Sequence, residues 1–166
     1  FDFAFGYPLG SAKKMAGKPG WEAVWSMLAS RIADDENNRN NSYDLAAALN
    51  REAFEGADEG PFWGHPHQHV GRYPGLEPTK PVQFTVREFR YAEGAARGAK
   101  SLWQLAYNGA VGRQALVGMA YLEKLRTTFK GKAAVWPFQT QFAGDLSKPI
   151  CIAEVYPSLF PVIEEP

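Results

Sequence analysis

The stretch Pro149-Ile150-Cys151-Ile152-Ala153-Glu154-Val155-Tyr156-Pro157 is apolar at almost every position and is bounded by proline at both ends. A strand with one wet face alternates apolar and polar residues, whereas a strand covered on both faces reads as a continuous apolar run. This stretch is therefore expected to be a central strand, and parallel neighbours of such a strand need long, usually helical, crossovers. The opening residues, Phe1-Asp2-Phe3-Ala4-Phe5-Gly6-Tyr7-Pro8, read as the second half of another buried strand running into a Gly/Pro turn.

The crossovers are visible as periodicity. Trp21, Val24, Trp25, Leu28 and Ile32 recur at helical spacing and predict an amphipathic helix over 21–33. Asp34-Asp35-Glu36-Asn37-Asn38-Arg39-Asn40-Asn41 breaks it, because short polar side chains compete for the backbone and favour a turn. Ser42 is placed to cap a second helix that carries Tyr43, Leu45, Ala46, Leu49 and Phe54 on or near one face. The phrase from Lys100 to Gln114 leads into a third helix, which runs to about Arg126 with Val111, Ala115, Leu116, Met119 and Leu122 inward. Gly10 to Gly20 reads as a loop or ragged helical turn, Phe84 to Phe89 as a short extended segment, Ala92 to Ala99 as a small helical stretch, and Trp136-Pro137-Phe138 as an edge-like segment. Helices separating buried strands make an α/β fold with a mixed, mostly parallel sheet. At 166 residues the chain is expected to form one domain.

Composition removes several functions. Eighteen basic residues balance eighteen acidic ones, so the formal net charge is zero. That argues against a protein whose main work is non-specific binding to the nucleic-acid backbone, although it leaves room for a nuclease acting through a local site. No apolar run approaches the ~20 residues needed to span a bilayer. Cys151, the lone cysteine, can make neither an internal disulfide nor a thiolate metal site, which fits a reducing, cytoplasmic setting. The start has no basic stretch followed by an apolar one, as a signal peptide would. An opening in mid-strand, and an end at Phe160-Pro161-Val162-Ile163-Glu164-Glu165-Pro166 with no covering helix, suggest an internal piece of a longer protein.

Asp2 and Glu154 are the residues most in need of an explanation. Each puts a carboxylate into a run that would otherwise be core, and a buried charge is costly unless it is paired, hydrogen-bonded or bound to metal. Both lie near the carboxyl end of an expected strand, where open α/β sheets gather ligands. Meeting there, they would form a hard, oxygen-rich site for Mg²⁺ or Mn²⁺. The alternative is that each caps a helix or pairs with an arginine.

Other groups invite weaker readings. The segment from Gly56 to Pro81 shows no helix or strand pattern and contains His65, His67 and His69. Alternating histidines on a strand share a side and can hold zinc, but Pro66 interrupts them and no cysteine completes a set. A solvated or wall-lining loop is the expectation, with these histidines as the natural acid–base candidates near neutral pH. Trp63 in the same loop is placed at a pocket rim. Tyr107-Asn108-Gly109-Ala110-Val111-Gly112 precedes a helix, where backbone N–H groups attract a phosphate or carboxylate; a tight packing turn explains it equally well. Gln114 would face the same mouth. Asp34, Asp35 and Glu36 sit at a helix C-terminus against the dipole, which calls for a reason such as pairing with Arg31 or Arg39 or a cation; a solvated acidic turn is the default expectation.

Several phrases together resemble a known family. Asp2-Phe3-Ala4-Phe5-Gly6-Tyr7-Pro8 looks like the D-x-P-x-G-x-P strand and turn of the DUF429 group, predicted nucleases of the ribonuclease H-like fold, with Ala4 where proline is common. Ala153-Glu154-Val155-Tyr156-Pro157 resembles that group's later E-x-[HY]-P strand. A closer subgroup, often labelled as molybdopterin-guanine dinucleotide or cobalamin synthesis proteins, is similar at 34–41, at Pro61-Phe62-Trp63-Gly64, at 100–105 and at 109–116. The resemblance covers most of the chain. It implies a three-layer ribonuclease H-like domain over residues 1–166, lacking its first strand with a D-W-S-type acidic motif.

The resemblance further implies a divalent-metal-dependent phosphodiester hydrolase. Asp2 and Glu154 would hold Mg²⁺ or Mn²⁺; Gln104, Asn108, Gly109, Gly112 and Gln114 would hold a nucleic-acid or other phosphate-bearing substrate; and Trp63 and His65 would line the entrance. Two alternatives come from other classes. One is a non-catalytic nucleotide- or pterin-binding module of cofactor synthesis, with its ligand at the turn before Ala110. The other is an interaction domain whose acids are structural.

Overall fold

The computed structural model describes residues 1–54, 60–96, 98–142 and 147–156. Two helices carry its centre. Helix α2 (Trp21–Arg31) buries Val24, Trp25 and Leu28. Helix α5 (Gly112–Thr128) buries Ala115, Leu116, Met119, Ala120 and Leu122, and these two stripes meet in the most extensive helix pair of the fold. Both stripes follow the 3.6-residue period, as the sequence predicts. Helix α3 (Ser42–Ala53) adds Leu45, Ala46 and Leu49 from the far side. The ragged segment after Gly10 forms a short helix, α1 (Ser11–Ala16), between Gly10 and Gly17, whose left-handed φ values of 91° and 69° start and stop it within two turns. Helix α4 (Tyr91–Ala95) is the small helical stretch expected near Ala92.

The sheet among the described residues is one parallel pair, β1 (Ala133–Trp136) and β2 (Ile150–Ala153), in register Ala133↔Ile150 through Trp136↔Ala153. Val135 and Ile152 are buried on the side where α5 packs, whereas Cys151 is exposed on the other. The chain is thus α/β with parallel pairing, as expected, but β2 is covered on one face rather than both.

Phe1 pairs with the end of β2. Its amine donates to Ala153 O and its carbonyl accepts from Val155 N, both at 2.9 Å, which brackets Glu154 in a parallel register. The opening segment therefore does lie beside β2, but it bends at Phe3 and continues no ladder. Residues 84–89, expected to be extended, form bends rather than a strand.

The acidic turn after α2 explains itself. Asp35 Oδ1 accepts from the N–H groups of Asn37 and Arg39. The Asn41 side chain joins Ala33 N to Arg31 O. These short side chains take over backbone bonds that a helix would otherwise make. Ser42 is the first residue of α3 rather than its cap, and its hydroxyl accepts from Arg113 Nε at 3.0 Å.

Residues 60–81 are tied to the core at a few points and solvated between them, with His67, Gln68 and 70–72 exposed. Trp63 N–H donates to Trp103 O, Leu105 N–H donates to Trp63 O, and Gly64 N–H donates to Glu77 O. Phe62, Tyr73 and Leu76 join the core, and His67–His69 make one 3₁₀ turn. The earlier part of this segment, 56–59, lies outside the described residues.

Candidate functional site at the carboxyl edge of the parallel strands

Glu154 follows β2 immediately, on the side of the sheet where ligands collect in α/β folds. Its side chain is 28% exposed. Arg90, the residue before α4, donates through Nη1 to Oε2 at 2.8 Å and through Nη2 to Oε1 at 2.5 Å. Phe5 N–H donates to Oε2 at 2.9 Å. Glu93 completes the cluster from the first turn of α4. Its Oε1 accepts from Arg90 Nε and its Oε2 from Arg90 N–H, both at 2.6 Å. Burial works against the charge of Arg90, but hydrogen bonds and attraction from Glu154 and Glu93 outweigh it and hold the guanidinium pKa above its ordinary value.

Asp2 is not part of this cluster. Phe1 and Glu154 share a register position, and the rings of Phe1, Phe3 and Phe5 form a mutually tilted trio, every pair of centroids 5.8–6.4 Å apart, with Phe3 lying over Gly118 of α5. Asp2 lies between these residues in the chain but outside the trio. It is exposed, and its backbone carbonyl accepts from Gln114 Nε2 at 3.3 Å. The expected pair of acids meeting at one mouth is corrected on this point: Glu154 is paired with Arg90, and Asp2 is exposed and takes no part in the hydrogen bonds of that cluster.

The other expected site residues fall into two places. Trp63, His65, Gln104 and Asn108 belong to one neighbourhood, because Trp63 bridges to both Glu77 and Gln104, and Tyr107 Oη donates to His65 O at 2.6 Å. His65 is not at an entrance. It is 2% exposed, lies edge-on to Tyr73, and its Nδ1 lies 2.9 Å from Pro66 O. A carbonyl only accepts, so Nδ1 carries the proton. His67 and His69 point to different aromatic neighbours, Tyr107 and Tyr73. Trp63 keeps a buried Nε1 with no hydrogen-bond partner. Gln104 Nε2 donates to Ala106 O at 3.0 Å, and Asn108 is exposed.

The turn before α5 is built for packing. Gly112 N–H donates to Gln104 O at 2.8 Å, and a Cβ at Gly112 would stand 2.5 Å from Leu102 O and 2.6 Å from Gln104 O. Carbonyl oxygens crowd the place where an anion was expected, and the Gly112 amide is already used. Gly109 takes the left-handed φ of +77° that such a turn needs. Gln114, one turn on, faces Asp2 rather than this turn.

An open concavity of about 580 Å³ lies elsewhere, at the start of α2, lined by Lys18, Trp21, Ser26 and Arg126 among others. No expected site residue lines it. Arg126 there is committed to Glu123 through Nε and Nη2.

Sequence reasoning misses Arg90 and Glu93, the partners that define the cluster. Both sit in a stretch without strong periodicity, and their only signal is an Arg-x-x-Glu spacing at a helix start, a capping-box geometry. Comparison of the chain with protein-family models, curated proteins and solved structures finds no match.

Proposed function

We propose that the carboxyl edge of the parallel strands handles phosphate esters, and that the chain acts as a divalent-metal-dependent phosphodiester hydrolase of the ribonuclease H-like kind. One observation carries this reading: a carboxylate and an arginine converge just past β2, each less than a third exposed, at the edge where α/β sheets bind ligands. Arginine's planar fork matches the oxygens of phosphate, and a carboxylate offers hard oxygens to a divalent ion. Asp2 has no part in this version of the site.

Among the described residues no group of three or more His, Cys, Asp or Glu side chains gathers to hold a metal. Mg²⁺ commonly takes one or two protein carboxylates and fills its shell with water and substrate oxygens. Glu154 would hold the ion, which when bound supplies Lewis-acid stabilisation of the phosphoryl group and an activated water. The test is to titrate Mn²⁺ into the protein with a nucleic-acid panel and bis(4-nitrophenyl) phosphate. Cleavage that depends on metal and is lost in Glu154→Gln supports the reading. Absence of cleavage across the panel rejects it.

A second reading keeps the site and drops the chemistry: a binding module for a phosphate-bearing small molecule. It is favoured by the neutralisation of Glu154 by Arg90, which leaves no carboxylate demanding a metal. Tight nucleotide binding by calorimetry that is unchanged by chelator would select it over the hydrolase.

A further inference from the structure

We propose that Arg90 is the phosphate-recognition residue of this edge, and that Glu154 occupies its recognition edge as an internal stand-in that a metal–phosphate pair displaces. The inference rests on the reading of the edge as a phosphate-handling site and assigns the residue that does the recognition.

The geometry of the guanidinium is the basis. Two acids share its donors. Glu93 holds one side, its Oε1 meeting Nε at 2.6 Å and Nη2 at 2.5 Å, while its Oε2 accepts from the Arg90 backbone N–H at 2.6 Å, within a single helical turn. The end of the fork, Nη1 together with Nη2, meets the two oxygens of the Glu154 carboxylate, so Nη2 serves both acids. A phosphodiester offers the same pair of oxygens at similar spacing. Because Glu93 positions the fork by itself, Glu154 can leave without loosening it. Glu154 also keeps a place to stand, since Phe5 N–H still donates to its Oε2.

Charge decides how the exchange proceeds. Arg90, Glu93 and Glu154 together carry a net charge of −1, and they are only 17%, 10% and 28% exposed. A phosphodiester entering alone would raise this to −2 in partly desolvated surroundings, which is unfavourable. Entering with a divalent cation it brings the total to zero: the cation goes to Glu154, the phosphate to Arg90, and one ion pair becomes two. Metal and phosphodiester are therefore expected to bind cooperatively, each weakly without the other.

The sign of one substitution separates this from a merely structural ion pair. Glu154→Gln removes the competing charge while keeping an acceptor for Phe5 N–H. In the presence of chelator, it should bind dimethyl phosphate at least ten-fold more tightly than the unaltered protein, as read by ³¹P NMR titration. Arg90→Gln should abolish binding with or without Mn²⁺. Arg90→Lys keeps the charge but loses the fork, and should bind more weakly than its arginine counterpart both alone and when combined with Glu154→Gln. Thermal melts establish that each variant is folded; if Arg90→Gln is not, the Arg90→Lys and Glu154→Gln pair still decides.

Unchanged or weaker metal-free binding in Glu154→Gln, or undiminished binding in folded Arg90 variants, overturns the proposal. Failure of the hydrolase reading looks different: no substrate is cleaved, yet Glu154→Gln still tightens phosphate binding.

Discussion

The side chain of Asn50 pairs with the backbone of Phe62 as a neighbouring strand would. Its Nδ2 donates to Phe62 O at 2.9 Å and its Oδ1 accepts from Phe62 N at 3.0 Å. Nδ2 also donates to Gly75 O at 2.7 Å, so one buried amide ties α3 to two points of the segment 60–76. This lets a Gly/Pro/His-rich stretch without helix or strand sit in the core with its polar backbone satisfied.

Asn50→Ala should therefore be among the most damaging single substitutions outside the apolar core. It strips three backbone groups of partners, each worth roughly 1 kcal/mol or more when buried. A loss of about 3 kcal/mol is expected from the urea midpoint. Asn50→Asp should cost a comparable amount, because a carboxylate cannot donate to Phe62 O and Gly75 O.

The elements a reader of the sequence can place are those whose apolar residues carry a period. Trp21, Val24, Trp25 and Leu28, and likewise Ala115, Leu116, Met119 and Leu122, place α2 and α5, and the apolar run around Ile152 places β2. Residues 60–81 are illegible because their order comes from long-range bonds to Trp103 and Asn50, partners that no local pattern announces. The site divides the same way. Glu154 is conspicuous because a charge interrupts an apolar run, and its pairing with an arginine was among the alternatives read from the sequence. Which arginine it meets depends on the fold bringing a residue 64 positions away to the strand end. That Asp2 stays exposed and outside the Glu154 cluster depends on how the opening residues turn away from β2 after Phe1, which no local pattern announces.

Two glycines of α5 should respond differently to alanine. Both gain up to about 1 kcal/mol of helix propensity. At Gly118 the new methyl would meet the ring of Phe3, a side chain near the chain start that can shift. At Gly112 it would meet the backbone carbonyls of Leu102 and Gln104 at 2.5 and 2.6 Å, the latter held by the Gly112 N–H itself. Gly118→Ala is expected to cost about 1 kcal/mol and Gly112→Ala at least about 3 kcal/mol, following the usual cost of overpacking and more where backbone must move. Thermal melts of the two variants side by side would show the order, and a reversed order would contradict the packing role given to the turn before α5.

Tyr7 offers a gain rather than a loss. Its ring packs on Phe62 and Trp103 with centroids 5.8 and 4.8 Å away, while its hydroxyl is buried without a partner. Burial pushes the phenol pKa well above its usual value, so the group stays neutral. Tyr7→Phe keeps the ring and removes the stranded hydroxyl. Stability should rise by about 1 kcal/mol, within the range set by an unsatisfied buried polar group. A fall in the urea midpoint would mean that the hydroxyl has a partner.

Glu123 gives the fold an acid limit that is separate from the sheet edge. It lies on α5 and accepts from Ser26 Oγ at 2.9 Å and from Arg126 at 2.8 and 2.9 Å, so it joins α2 to α5. Burial alone would raise its pKa; the hydrogen bonds from Arg126 and Ser26 and the charge of Arg126 outweigh that and leave it below the ordinary carboxylate value. A depressed folded-state pKa means that the unfolded chain takes up the proton first. The contribution is therefore full at neutral pH and is lost as pH falls through the carboxylate range to the depressed value. Glu123→Gln should cost about 1 kcal/mol at pH 7, allowing for solvent screening of the pair. The gap between it and the unaltered protein should close as denaturation midpoints are followed from pH 7 down to about pH 3. A gap that stays constant over that range would show that the carboxylate's charge plays no part in joining the two helices.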